Sequence, residues 1–121
     1  ATGTGIAPFR AMLPSLLAAA DSHTVTLLFG TRREESILYR DEWENWERRH
    51  GRFRFWPTLS RAGERWTGRR GYVQASLAEA LGGSLDADVF VCGLKAMVDE
   101  VRALGKALGL DRKQIVYEKY D

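Results

Sequence analysis

The protein is a chain of 121 residues, of which 45% are hydrophobic and 28% are charged. That length fits one domain, and this composition supplies one ordinary core without help from disulfides or a structural metal. The 18 basic and 16 acidic residues give a net charge of +2, and the two signs are interleaved along the chain. A nucleic-acid partner is not expected, because a basic binding face needs cations clustered on one surface.

The single cysteine, Cys92, excludes an internal disulfide and favours a reducing compartment. No apolar run is long enough to span a bilayer, and the N-terminus lacks the layout of a signal peptide. We therefore expect a soluble, cytoplasmic protein with no membrane span. No metal site is predicted, because His23 and His50 have no cysteine or acidic residue at the spacing of metal ligands.

The first half of the chain predicts two helices and two strands. Pro8 suits the first turn of a helix whose apolar stripe runs to Asp21. Residues 25–30 (VTLLFG) form a compact apolar run typical of a buried strand. Residues 52–57 alternate between polar and apolar side chains and predict a second strand that ends at Pro57. Between these two strands, one face of a helix is predicted by Tyr39, Trp43, Trp46 and His50.

The second half continues the alternation of helix and strand. A short helix is predicted over residues 73–81, where two glycines follow it. Residues 88–93 (DVFVCG) and 114–118 (QIVYE) predict two more strands. The helix between them has Gly109 as its predicted C-cap and an apolar stripe formed by Val98, Val101, Leu104 and Leu108. The whole pattern predicts an α/β fold with three αβα layers, a mostly parallel central sheet and any nucleotide at its carboxyl edge.

A glycine-rich turn, ATGTGIAP, opens the chain and leads into the first predicted helix. Glycines at positions 3 and 5 allow the backbone to approach a diphosphate, and the N–H groups of the helix start face its negative charge. Pro8 stands where the Rossmann fingerprint has its third glycine. Taken alone, a tight strand-to-helix turn explains the motif as well as phosphate binding does. Because such loops normally follow a strand, we expect the natural protein to extend upstream.

Six segments of the chain resemble, in the same order, the nucleotide-binding domain of the ferredoxin–NADP reductase superfamily. They are GTGIAPFR (residues 3–10), GTR (30–32), SR (60–61), GYVQ (71–74), CGLKAM (92–97) and EKY (118–120). The resemblance implies an NAD(P)-binding domain over residues 1–121. It does not extend to the family's N-terminal β-barrel, which holds FAD, so a flavin-binding domain is expected in cis or in trans.

The resemblance also implies which residues contact the cofactor. They are Gly3, Thr4, Gly5, Ile6, Ala7, Pro8, Gly30, Thr31, Arg32, Ser60, Arg61, Arg70, Tyr72, Gln74, Cys92, Gly93, Leu94 and Met97. Among them, Ser60, Arg61, Arg70 and Tyr72 match the group that surrounds the 2′-phosphate of NADP in plant-type members. Guanidinium groups grip phosphates in bidentate fashion, whereas the 2′-OH of NAD more often meets an acidic acceptor.

NADP(H) is therefore the predicted cofactor, and NAD(H) is the alternative. The alternative rests on residues 66–73, since NAD-using relatives carry a similar Trp-x-Gly-x-x-Gly-Tyr-Val stretch. On the residues alone, Met97 is expected to face the protein core from the helix that begins there, with nucleotide contact as a secondary possibility.

Three residues carry the catalytic roles that the resemblance implies. Cys92 would lie beside the nicotinamide and position it for hydride transfer, although a lone cysteine after a strand is also a common buried side chain. Tyr120 would stack on the flavin until the nicotinamide displaces it, and Glu118 would orient the nicotinamide. Asp121 adds a carboxylate after Tyr120, which departs from the plant-type terminus.

The resemblance implies a flavoenzyme that passes hydride between nicotinamide and FAD, and then single electrons to ferredoxin or flavodoxin. Two alternatives stay open: an NADH-dependent reductase component of an oxygenase, and a non-catalytic nucleotide-binding or sensing subunit. We expect the 121-residue chain to be inactive alone, because it has no flavin site.

Overall fold

A computed structural model of the protein describes residues 1–19 and 23–120. Its helices are α1 (Ala7–Ala18), α2 (Arg40–Arg49), α3 (Leu77–Leu81) and α4 (Lys95–Leu108). Its strands are β1 (Val25–Thr31), β2 (Phe53–Leu59), β3 (Arg69–Arg70), β4 (Val89–Leu94) and β5 (Ile115–Tyr120). Short 3-10 helices lie at Gly3–Ile6 and Val73–Ser76, directly before α1 and α3. No helix of the described part of the chain is long and apolar enough to cross a membrane.

The strands form two parallel sheets that the first two residues connect. One sheet has the order β1-β2-β3, and the other pairs β4 with β5. The Gly30 N–H donates to the Ala1 carbonyl at 2.9 Å, and the Thr2 N–H donates to the Cys92 carbonyl at 3.3 Å. The ends of β1 and β4 therefore meet the glycine-rich turn at one edge of the molecule.

Helices cover both faces of the sheets, which confirms the predicted αβα fold. Strand β1 shows this directly, because Leu27 and Phe29 pack into a cluster with side chains of α1 and α2. Leu28, whose side chain points the other way, packs against a second cluster that includes Val98 and Val101 of α4. Such alternation is what a strand buried on both faces requires.

Trp43 anchors α2 to the sheet. Its side chain is 0% exposed, lies edge-to-face with Trp46 at 5.2 Å, and donates its indole N–H to the Leu38 carbonyl at 2.7 Å. The predicted helix face is confirmed at these two tryptophans. Tyr39 caps the helix in a left-handed conformation with φ of 58°, and its ring is 40% exposed.

Pro57 lies inside β2 and does not end it, contrary to the sequence prediction. The Val25 N–H donates to the Arg52 carbonyl, so the even-numbered residues of β2 direct their backbone groups toward β1. The missing N–H of Pro57 faces the opposite side, where β3 pairs only with Thr58 and Leu59. Proline is tolerated in a strand on such an edge.

The apolar stripe predicted for the last helix is only partly buried. Val98 and Val101 are buried, but Leu104 and Leu108 are 39% and 41% exposed. Gly105, and not these two leucines, packs against the sheet. A Cβ on Gly105 would lie 2.7 Å from the Ile115 side chain. The first helix ends at Ala18, so its predicted end at Asp21 lies outside the described residues.

Candidate functional site

The glycine-rich turn packs against the end of β4 through glycine-to-backbone contacts. A Cβ on Gly5 would lie 2.7 Å from the Cys92 carbonyl carbon and 3.0 Å from the Gly93 Cα. Gly93 has φ of +152°, and a Cβ there would lie 2.8 Å from the Met97 Cε. Gly5 and Gly93 are therefore needed for the turn and the strand to touch, a packing role that the motif alone does not reveal.

Gly3 lies on the open side of the same turn. Its φ is +51°, and a Cβ there would meet nothing within 4 Å. The turn itself is closed by the Gly5 N–H, which donates to the Thr2 carbonyl at 3.0 Å. No acidic side chain lies in the first turn of the 3-10 helix or of α1. The exposed backbone at Gly3 and Thr4 therefore faces solvent at a helix start whose partial positive charge favours an anion.

The loops after β1 and β2 are joined by two backbone hydrogen bonds. The Ser60 N–H donates to the Thr31 carbonyl at 3.0 Å, and the Arg61 N–H donates to the Arg32 carbonyl at 2.8 Å. Four of the residues predicted to contact cofactor are thus brought together at the carboxyl edge of the sheet. The side chains of Arg32 and Arg61 are exposed there.

Arg70 closes the loop that follows Arg61. One Nη atom of its guanidinium donates to the Gly63 carbonyl at 2.9 Å and to the Trp66 carbonyl at 2.6 Å. The Trp66 indole N–H in turn donates to the Arg69 carbonyl at 2.9 Å. The sequence predicted a phosphate contact for Arg70, and the structure adds this loop-closing role, which sequence reasoning missed.

Other predicted residues near this loop differ in accessibility. Tyr72 is 69% exposed and Leu94 is 59% exposed, so both side chains are available to a ligand. The Gln74 side-chain amide donates to Glu100 at 2.6 Å, and this bond ties it to α4. Met97 is 6% exposed within the second hydrophobic cluster, the core position expected from its helix.

The three predicted catalytic residues lie together at the ends of β4 and β5. Cys92 is 3% exposed and lies opposite Glu118 in the parallel register, while Tyr120 lies opposite Leu94. A hydrogen bond to the Cys92 thiol raises the pKa of Tyr120 above its usual value, and partial burial and the Glu118 charge act in the same direction. Asp121 lies outside the described residues.

An ion-pair network beside these residues was missed by sequence reasoning. Asp99 of α4 accepts hydrogen bonds from Lys119 of β5 and from Lys95, each at 2.7 Å. These two bonds lower the pKa of Asp99 to about 2. The i, i+4 spacing of Lys95 and Asp99 in the sequence indicates the first ion pair. The pair between Lys119 and Asp99 has no such sequence signal, because it forms only when β5 packs beside α4. The network holds the end of β5 against the start of α4.

In the ranges 1–19 and 23–120, no group of three or more His, Cys, Asp or Glu side chains is arranged to hold a metal ion. The convergent features at the carboxyl edge are instead a glycine turn, exposed cations and the pair of Cys92 and Tyr120.

Comparison with known proteins agrees with that arrangement. Residues 1–103 match the oxidoreductase NAD-binding domain family. The chain belongs to this family. Over 128 aligned positions, this NAD-binding domain is 46% identical to ferredoxin–NADP reductase B of Sorangium cellulosum, and the match covers 100% of the chain and 52% of that relative. The chain therefore spans about half the length of this curated relative.

Two solved structures resemble this NAD-binding domain along almost its entire length. The Amycolatopsis cytochrome P450 reductase GcoB matches with a TM-score of 0.88 and 26% identity, over 98% of this chain and 35% of that one. A ferredoxin–NADP⁺ reductase from Neisseria gonorrhoeae, solved with bound FAD and NADP, matches with a TM-score of 0.77 and 26% identity, over 98% of this chain and 53% of that one. The predicted membership of the ferredoxin–NADP reductase superfamily is confirmed.

Proposed function

We propose that residues 1–121 are the NADP(H)-binding domain of a ferredoxin–NADP reductase-like flavoenzyme whose FAD is held by a separate domain. One observation carries the proposal: the open glycine turn, the paired loops at Thr31 and Ser60, and the pair of Cys92 and Tyr120 all lie at one carboxyl edge. Open α/β sheets bind their ligands at this edge. One relative is a ferredoxin–NADP reductase by name, and one similar solved structure is a ferredoxin–NADP⁺ reductase with bound FAD and NADP.

Each group at the edge has a part in holding the nucleotide. The exposed backbone at Gly3 and Thr4 suits the diphosphate, because the helix start there favours negative charge. Ser60 and Arg61 suit the 2′-phosphate, since a hydroxyl and a guanidinium both donate to phosphate oxygens. With these two ends fixed, the nicotinamide extends toward Cys92 and Glu118.

Tyr120 controls access to the nicotinamide position. Its hydroxyl donates to the Cys92 thiol, so a ring bound against Cys92 requires the tyrosine side chain to move aside. FAD, when bound in its own domain, supplies the hydride acceptor for such chemistry. The work of this chain is to hold the nicotinamide C4 at contact distance and in the right orientation.

The one-electron partner of the complete enzyme is proposed to be ferredoxin or flavodoxin. The name of the Sorangium relative, ferredoxin–NADP reductase B, supports ferredoxin. The chain alone should not sustain dye reduction from NADPH, because the flavin must be held against the nicotinamide by a second domain.

Arg70 supports an alternative, an NADH-dependent reductase component that feeds an oxygenase. Its two hydrogen bonds to the Gly63 and Trp66 carbonyls give this cation a structural reason to be present. If Arg70 serves only the loop, the case for the 2′-phosphate rests on Ser60 and Arg61.

Calorimetric titration of the chain with NADP⁺ and, in parallel, with NAD⁺ separates the two functions. We expect NADP⁺ to bind at least tenfold more tightly, a difference of about 1.4 kcal/mol. Equal affinities would support the NADH-dependent alternative and contradict the NADP(H) assignment. Binding of neither nucleotide at millimolar concentration would contradict both.

A further inference from the structure

Strand β3 is held to the rest of the sheet by very little backbone pairing. It consists of Arg69 and Arg70, which pair with Thr58 and Leu59 of β2. One further backbone hydrogen bond continues this pairing, from the Gly71 N–H to the Leu59 carbonyl at 2.9 Å. Because a single hydrogen bond has a small net worth, so short a ladder holds the strand weakly. The position of β3 therefore depends on side-chain contacts as well.

The Arg69 side chain supplies such contacts on the α3 side of the sheet. Its guanidinium lies over the Trp56 ring of β2, 3.9 Å from the ring centroid. The same group forms an ion pair with Glu79 of α3 and donates to the Ser76 hydroxyl at 3.4 Å. Arg69 is thus held between a neighbouring strand and a helix, and it connects β3 to both.

The surroundings of Arg69 are partly shielded from water. Ser76 is 8% exposed, and Thr58, which lies opposite Arg69 in the parallel register, is 1% exposed. The Arg69 side chain is 33% exposed. A planar guanidinium that stacks on an indole and pairs with a carboxylate has a defined orientation. Arg69 is therefore an oriented anchor for β3 and not a freely solvated cation.

Arg70 points the opposite way, as neighbouring residues of a strand do. Its guanidinium donates to the Gly63 and Trp66 carbonyls and so closes the loop that follows Arg61. A displacement of β3 would therefore displace this loop. The contacts of Arg69 on one face of the sheet thus bear on the position of Arg61 at the carboxyl edge.

We propose that Arg69 is a positioning residue that sets the selectivity of the carboxyl edge for a 2′-phosphorylated nucleotide. It acts without touching the phosphate, because it holds β3 and the loop after Arg61 in place. Recognition of a phosphate by a guanidinium depends on geometry as well as on charge, so a small displacement weakens it. This inference rests on the proposed function, since it takes the 2′-phosphate position at Ser60 and Arg61 as given.

Isothermal titration of Arg69→Met with NADP⁺ and NAD⁺ tests the proposal, in about 0.15 M salt to screen long-range charge effects. We expect NADP⁺ to bind roughly fivefold more weakly, less than the full loss of a hydrogen bond to a charged group, and NAD⁺ affinity to change less than about twofold. Arg54→Met is the matched control. Arg54 also lies over the Trp56 ring, at 5.2 Å, but it precedes the part of β2 that pairs with β3. The control should keep the wild-type ratio of the two affinities.

Two further variants separate positioning from a direct effect of the Arg69 charge. Trp56→Leu changes no charge but removes the ring under the guanidinium, and Arg69→Lys keeps the charge but not the planar group. Both should lower the ratio of NADP⁺ to NAD⁺ affinity, as Arg69→Met does. Wild-type ratios for both would overturn the proposal, because Arg69 would then act through its charge alone. If Arg69→Met does not fold, the ratio for Arg69→Lys decides.

Amide hydrogen exchange at Gly71 measures the anchoring itself. This amide donates to Leu59 and should exchange roughly tenfold faster in Arg69→Met, since local opening of β3 becomes easier. The amide of Val25, which donates to Arg52, is the internal reference.

An unchanged Gly71 rate would overturn the proposal, and so would faster exchange with an unchanged affinity ratio. Either result, with a wild-type preference for NADP⁺, leaves the proposed function intact. Equal affinities of the wild-type chain for NADP⁺ and NAD⁺ would instead contradict the proposed function, and the selectivity assigned to Arg69 would fall with it.

Discussion

The Tyr120 hydroxyl donates a hydrogen bond to the Cys92 thiol across two neighbouring parallel strands. Tyr120 therefore lies where the proposed nicotinamide must bind, and its contact has to be broken first. The free energy needed to break this contact lowers the affinity for the nucleotide. Removing the contact should strengthen binding.

The first prediction concerns this contact. Tyr120→Phe removes the hydroxyl, and a hydrogen bond has a net worth of about 0.5–1.5 kcal/mol, so NADP⁺ should bind roughly twofold to tenfold more tightly. Tyr120→Ala also removes the ring and should strengthen binding further. Isothermal titration of both variants checks the order. Weaker binding by both variants would show that Tyr120 supports the bound nucleotide and does not compete with it.

Arg61→Ala tests the 2′-phosphate position. We expect NADP⁺ affinity to fall by about 1.5–3 kcal/mol, the worth of a hydrogen bond to a charged group, while NAD⁺ affinity stays unchanged. Arg49→Ala is the matched control, since Arg49 is an exposed arginine in the last turn of α2. An equal loss for the two nucleotides would mean that Arg61 does not contact the 2′-phosphate.

Gly5→Ala should destabilise the fold as well as the site. The added Cβ would lie 2.7 Å from the Cys92 carbonyl carbon, and such overpacking costs about 1–3 kcal/mol. Gly51→Ala is the control, because a Cβ there meets nothing within 4 Å. Thermal or urea unfolding compares the two. Equal stability of the two variants would contradict the packing role assigned to Gly5.

Asp99 should contribute to acid stability. The hydrogen bonds from Lys119 and Lys95 lower its pKa from an ordinary 3.8 to about 2 in the folded protein, so its stabilising effect is complete above the unfolded value. The effect is lost as the pH falls from about 4 toward 2, because the unfolded state then binds the proton more readily. Asp99→Asn should weaken the dependence of the unfolding free energy on pH between about 4 and 2. The control Asp86→Asn, at an exposed position, should leave this dependence unchanged. An unchanged pH profile for Asp99→Asn would reject the network's role.

A polypeptide that begins at Ala1 should also show a second pH dependence. Burial lowers the pKa of its amino group from 8.0 to about 5, so the unfolded state holds the extra proton between these values. Stability should therefore rise as the pH increases from 5 to 8, by up to about 4 kcal/mol. Acetylation of Ala1 removes the charge and should abolish the rise. Identical pH profiles before and after acetylation would contradict this burial.

Much of the fold was predictable because the sequence patterns are local. The strands over residues 25–30 and 88–93 were placed to within one residue of β1 and β4, since compact apolar runs ending in glycine are distinctive. Pro57 shows where such reasoning fails. Whether a strand tolerates proline depends on which neighbour its missing N–H would face, and that is fixed by sheet order and not by sequence spacing.

The positions of the candidate site were predictable as a set of motifs but not as a set of contacts, and the roles given to these residues stay predictions. The resemblance identified Cys92, Glu118 and Tyr120 together, and the register of β4 and β5 places them side by side. The bonds from Arg70 to the Gly63 and Trp66 carbonyls were not predictable, because backbone acceptors leave no signature in side-chain identity. The reach of Lys119 to Asp99 was hidden for a similar reason, since it joins two elements that meet only in the folded protein.

The most direct test of the account is a nuclear magnetic resonance titration of the isotope-labelled chain with NADP⁺. The account predicts that the largest amide shift changes occur at Gly3, Thr4 and Arg61 at the carboxyl edge. Arg112, which precedes β5 at the opposite end of the sheet, should not respond. In the same titration with NAD⁺, the amide shift change at Arg61 should be much smaller. Changes centred on other surfaces, or no changes at saturating nucleotide, would contradict the claim that this edge binds NADP(H).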